Sequence, residues 1–157
     1  RRVLFRSYPS KERSLEIAKA MVDGGVDLIE VGFPYSDPVM DGPVIQRAAE
    51  IALANGAKAS EVLEVVSGVS KLEVPVVVMT YWNPIEKYGV NNFAQDLKTA
   101  GGSGLITPDL TIEEAEEWNG VSQEKDLAKI FVVAPSSTEE RLSRVTENCS
   151  EIGRAHV

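Results

Sequence analysis

The chain has 157 residues, 43% of them hydrophobic and 25% charged, enough for one core of domain size in a globular protein. Its 24 acidic residues outnumber 16 basic ones and no block of Lys or Arg occurs, which argues against nucleic acid as a partner. A single cysteine, Cys149, leaves no internal disulfide and no Cys-x-x-Cys metal spacing, so a reducing, cytoplasmic setting is expected.

The two ends stand apart from the rest. "RRVLFRS" can be encoded by AGACGTGTGCTCTTCCGATCT, and the reverse complement of that DNA, read in another frame, gives the closing "IGRAHV". Residues 1–7 and 152–157 therefore read as one sequencing adapter translated from its two strands, leaving 8–151 as the native part. The sole histidine, His156, falls in the excluded tail. Any general acid or base must then come from Asp, Glu, Lys, Tyr or Cys.

In chain order, "SKERSLEIAKAMVDGG" puts Leu15, Ala18, Met21 and Val22 at helical spacing, with Ser10 as N-cap and Gly24-Gly25 as the stop. "VDLIEVG" is too short and too apolar for a surface helix and reads as a buried strand. "DGPVIQRAAEIALANG" starts a second helix at Pro43, whose missing N–H costs nothing in a first turn, and stops it at Gly56. "ASEVLEVVSGVSKL" continues helical with Val62, Leu63, Val66 and Val69 on one side, and "VPVVVMTY" supplies the next apolar strand. After a loop, "YWNPIEKYG", come a helix in "NNFAQDLKTAGG" with Phe93 and Leu97 inward, a strand in "GLITP", a helix in "TIEEAEEW", a strand in "KIFVVAP" and a helix in "STEERLSRVTEN".

Strands apolar on both faces and joined by helices predict an α/β fold with a parallel sheet. "GFPYSDPVMDGP" is not the Gly-rich phosphate loop that a small doubly wound domain usually carries after its first strand. A closed barrel of eight strands needs about 250 residues, so four visible strands fit a partial (β/α)8 barrel, roughly strands 2 to 5 with their helices, with two open sheet edges.

In such a fold the loops after the strands share one face, where ligands bind. Side chains alternate along a strand, so Leu28 and Glu30 point one way and Ile29 and Val31 the other. If Ile29 and Val31 meet the helices, Glu30 faces the barrel mouth, where partial desolvation suits a carboxyl group that must give and take a proton. Taken singly, these residues also have plain structural uses. A buried Glu serves equally as half of an ion pair, Asp37 before Pro38 and Asp41 before Gly42 are ordinary turn residues, Tyr81 and Trp82 pack, and Asp109 after Pro108 turns or caps.

The joint pattern carries more. "DLIEVGFPYSDPVMDGPVIQ", "VPVVVMTYWNPIEKYGVNNF", "GLITPDL" and "FVVAPSSTEERL" resemble, in order and separation, the signature segments of the tryptophan synthase alpha chain family, across essentially all of residues 8–150. The resemblance implies a (β/α)8 barrel lyase that cleaves indole-3-glycerol phosphate to indole and glyceraldehyde 3-phosphate, with no cofactor of its own and no metal. It also implies a pyridoxal phosphate beta chain as partner, in an alpha2beta2 assembly, that receives the indole. On this reading Glu30 and Asp41 are the catalytic acids, Tyr81, Ile45, Met79 and Ile106 surround the substrate, and Asp37 and Pro38 lie in a loop used for closure and partner contact. The family's last loops, which hold the phosphate, have no counterpart here, so activity is expected of the complete protein and not of this stretch alone. A stand-alone lyase releasing indole and a non-catalytic barrel that activates a partner are the alternatives. The presence of both Glu30 and Asp41 argues against the second.

Overall fold

The computed structural model describes residues 2–5, 10–150 and 154–155. The other terminal residues, His156 among them, lie outside the described residues. In chain order the elements are β1 (Arg2–Phe5), α1 (Lys11–Asp23), β2 (Leu28–Gly32), α2 (Pro43–Ala54), α3 (Ala59–Ser70), β3 (Val76–Met79), α4 (Trp82–Tyr88), α5 (Val90–Thr99), β4 (Gly104–Thr107), α6 (Glu116–Glu124), β5 (Ala128–Val133), α7 (Glu139–Asn148) and β6 (Arg154–Ala155). The strands form one parallel sheet in the order β1-β2-β3-β4-β5-β6. This is the expected partial barrel.

The capping signals act as read. Ser10 accepts a hydrogen bond from the Arg13 amide at the start of α1, Gly24 closes that helix, and Pro43 occupies the first turn of α2. Val62, Val65, Val66 and Val69 of α3 are fully buried, each contributing roughly 1.5–3 kcal/mol. They pack with Ile29, Val31, Val76, Val78, Leu105 and Phe131 to form the core between sheet and helices. Val77, Met79, Ile106 and Ile130 alternate with that set and form a separate apolar layer on the other face, joined by Leu28 and Val132. That second face is the barrel interior.

Three expectations are corrected. The segment read as a loop, "YWNPIEKYG", contains α4. It is too short to show periodicity, and Pro84 sits within its first turn, where a missing N–H is tolerated. The helix expected in "TIEEAEEW" begins only at Glu116 and runs through Gly120 to Glu124, while the Thr111 hydroxyl donates to Glu114 in the turn before it. Starting there places Glu116 and Glu117 at the favourable N-terminal end, where a longer helix would have stacked carboxylates three and four residues apart. Finally, the edges of β2 and β5 are not open. Residues set aside as foreign pair with them as β1 and β6, Leu4 opposite Glu30 and Arg154 opposite Val132, as extended segments do beside an unpaired strand edge.

Candidate active site

Glu30 lies in the middle of β2, paired with Leu4 on one side and Val77 on the other, and is 1% exposed. Its neighbours Ile29 and Val31 belong to the helix-facing core, while Leu28 packs on the interior layer. Alternation therefore puts the Glu30 carboxyl group on the interior face. Across the sheet its register row continues through Val77, Gly104 and Ala128, and the next row toward the strand ends runs Gly32, Met79, Ile106, Ile130. Gly32, on the same face two residues on, has no side chain. Nothing from its own strand thus stands between Glu30 and the C-terminal rim.

The chain leaving β2 arches over that rim. Phe33 donates from its amide to the Met79 carbonyl at 2.8 Å, which fixes the loop's departure from the sheet. The ring of Tyr35 lies 5.3 Å from that of Tyr81, and the Asn83 side chain donates to the Tyr35 hydroxyl at 3.0 Å. Farther along, the Met40 amide donates to the Tyr81 hydroxyl at 2.8 Å, and the Gln46 side chain donates to the Asp41 carbonyl at 2.8 Å. Asp41 is half-buried, with Oδ2 shielded from solvent. Between these anchors the tip is exposed: Asp37 accepts from the Ser36 hydroxyl at 2.6 Å, Pro38 is half-buried, and Val39 is 84% exposed.

The loop after β4 joins the same cluster. Both carboxylate oxygens of Asp109 lie 3.0 Å from the Trp82 amide, which they accept from, and so they cap α4 from another segment. The surrounding protein pushes the Asp109 carboxyl up from its ordinary value by desolvation, and the Trp82 and Asp109 amides oppose that shift. A cavity of about 230 Å³ lies beside it, lined by Met40, Asp109, Phe131, Val132, Ser137 and Arg141. Met40 therefore carries the acid loop across to the ends of β4 and β5. A wider cleft at the opposite end of the strands, lined by Lys98, Ser103 and Asp126, has its lysine already bound to Asp126.

Of the residues named from the sequence, Glu30, Met79 and Ile106 face the interior, with Met79 and Ile106 adjacent in one row, and Tyr81 lies two residues past β3 and is 2% exposed. Ile45 sits half-buried in the first turn of α2. Asp37 stands at the exposed tip, away from that interior row. Tyr35, Gln46 and Asn83 were missed. Their roles are hydrogen bonds between distant segments, and no local spacing announces them. Among the described residues no cluster of three or more His, Cys, Asp or Glu suits a metal ion, and no helix is long and apolar enough to cross a membrane.

A parallel sheet with its strands in chain order, helices on one face and the strand-end loops tied together at one rim belongs to the class of β/α barrels, which bind their ligands at that rim. Comparison with known proteins makes this specific. The family model described as tryptophan synthase alpha chain matches residues 3–152, and the chain belongs to that family. It is 56% identical over 142 residues to the tryptophan synthase alpha chain of Salinispora arenicola, covering 90% of this chain and 53% of that protein. Tryptophan synthase from M. tuberculosis, solved in an aminoacrylate-bound form, superposes with a TM-score of 0.93 at 48% identity, over 98% of this chain and 62% of that one. The tryptophan synthase a2b2 complex from Pyrococcus furiosus gives 0.92 at 31% identity, over 98% and 66%. The chain spans about half the length of the curated relatives it matches.

Proposed function

We propose that the full-length protein carrying this chain is the alpha subunit of a tryptophan synthase, a cytoplasmic lyase that splits indole-3-glycerol phosphate into indole and glyceraldehyde 3-phosphate. What supports this reading is that Glu30 lies on the interior-facing alternation of β2 and that the loop carrying Asp41 is anchored to the chain just past β3 and to α2. Breaking the bond between the indole ring carbon and the carbinol carbon of the side chain requires a proton on the ring carbon, removal of the proton from the adjacent hydroxyl, and stabilisation of positive charge at the ring nitrogen. Glu30 supplies the first proton as its acid form and, as carboxylate, takes the hydroxyl proton when the bond cleaves. Asp41 accepts from the ring N–H and stabilises the charge that develops there. No cofactor enters these steps. Met79, Ile106, Ile45 and the ring of Tyr81 form the apolar walls for the indole.

Asp37 and Pro38, on the exposed tip, serve closure and contact with a beta chain in an alpha2beta2 assembly. The test is indole release from indole-3-glycerol phosphate by the full-length protein, with and without the beta chain. Glu30→Gln keeps the side-chain volume but has no exchangeable acid proton, so turnover falls to background while substrate binding stays within about threefold. Wild-type turnover in that variant sinks the assignment. Asp37→Ala lowers stimulation by the beta chain and leaves the basal rate within about twofold. A collapsed basal rate with unchanged stimulation would move Asp37 among the catalytic groups.

A further inference from the structure

We propose that Tyr81 and Gln46 are positioning residues that clamp Asp41 from its two sides, an inference that rests on the role given to Asp41 above. Asp41 lies on a loop and has no strand ladder to set its backbone. Two side chains from different elements take that part. The Tyr81 hydroxyl, at the end of β3, accepts from the Met40 amide immediately before Asp41, and the Gln46 amide group, in α2, donates to the carbonyl of Asp41 itself. The first contact joins segments 41 residues apart in the chain, so it is a tertiary constraint and not a local turn.

The clamp is itself braced. Tyr81 is 2% exposed, its ring packs on Tyr35, and Tyr35 is tied by its hydroxyl to Asn83. The segment just after Tyr81 is fixed in turn, because Asp109 holds the Trp82 amide. The loop after β3 thus reaches the backbone beside Asp41 directly, and the loop after β4 braces it at one remove. Between Tyr35 and Met40 the tip carries the exposed residues Ser36, Asp37 and Val39. Motion of the tip on partner contact can therefore leave the acid in register over the substrate, because the anchors lie on both sides of the tip.

The experiment uses the full-length protein with indole-3-glycerol phosphate and compares Tyr81→Phe, Gln46→Leu and Asp41→Asn singly and in combination. Phe keeps the aromatic wall and removes only the hydroxyl. Tyr81→Phe is expected to lower kcat about tenfold with KM within about twofold, and Gln46→Leu to lower it about threefold. In the Asp41→Asn background either change costs less than about twofold, because the group it positions has already been altered. The same loss in both backgrounds would mean that Tyr81 acts directly on substrate, and no loss in either would remove its role; both overturn the proposal. Hydrogen exchange at the Met40 amide is the independent readout, expected to accelerate at least about tenfold in Tyr81→Phe with the Val77 amide unchanged. Unchanged exchange at Met40 overturns the clamp. Wild-type turnover by Asp41→Asn alone would sink the proposed function instead, and the exchange at Met40 would still decide whether the clamp exists.

Discussion

The two acids of the proposed site are held by different kinds of structure. Glu30 is fixed by the sheet: its backbone is paired with strands on both sides, its face is set by strict alternation, and it is buried among packed layers. Asp41 is fixed by side chains reaching in from β3 and α2, on a loop whose middle is exposed. A strand-held group has almost no freedom to move its backbone toward a displaced partner. A loop held at two points has some. The difference teaches that equal chemical importance need not mean equal tolerance of change, and substitutions that alter reach without removing the carboxyl group expose it.

The largest effect is expected for Glu30→Asp, which shortens the acid by one methylene on a backbone that cannot follow. Indole release should fall about a thousandfold despite the retained carboxyl group. Asp41→Glu, which lengthens the loop acid, should cost only about tenfold, since the loop can yield by a fraction of an ångström. Equal losses in these two variants, measured as kcat on the full-length protein, would erase the distinction drawn above. Asp41→Asn lies between them, at roughly a hundredfold, because an amide oxygen still accepts the ring N–H but carries no charge to stabilise it.

A smaller effect tests the rigidity of the sheet itself. Gly104 occupies the same register row as Glu30, and a Cβ placed there would lie 2.5 Å from the Ala128 carbonyl oxygen and 2.7 Å from its Cβ. Backbone cannot turn aside as a side chain can. Gly104→Ala should therefore lower stability by about 1–3 kcal/mol, read as a reduced urea midpoint with an unchanged slope, while hydrogen exchange at Met40 on the loop stays as it was.

The smallest expected effect concerns Asp109. Desolvation raises its carboxyl pKa above the ordinary value of 3.8, so the folded state resists its ionisation. The sign follows: stability associated with this group is fully present below pH 3.8 and falls as pH rises through the raised value. Asp109→Asn keeps an acceptor for the Trp82 amide and removes the titration. Its urea midpoint should equal or slightly exceed that of the wild type at neutral pH, and the gain should vanish on acidification to about pH 3.

The sheet and the strand acid were legible in the sequence because both follow from short-range regularities. The alternation of Leu28, Ile29, Glu30 and Val31 assigns the face of Glu30 without any knowledge of its neighbours, and Ser10, Pro43 and the paired glycines mark helix ends by local chemistry. The surroundings of Asp41 were not legible in that way. Tyr81 reads as packing or as a substrate contact until Met40 is seen beside its hydroxyl, and Asp109 reads equally as a turn or a cap until Trp82 is seen to begin a helix beneath it. The same cause hid α4, whose N-cap residue Tyr81 makes no side-chain cap and whose capping acid comes from the next loop. Regular elements repeat their signal along the chain, whereas a hydrogen bond between two loops leaves none in either.

The strands stand in the sheet in the order in which the chain presents them, each of β2 to β5 paired with the one before and the one after. During synthesis every strand thus finds its partner already made, and the sheet lengthens like a growing fence, one post beside the last. Loop entropy is spent in small, nearly equal instalments at each addition. In a barrel that closes, only the join between first and last strands links remote parts of the chain. That single seam is then the slow step of assembly, and both carboxyl groups of the site can be in place before it is sewn.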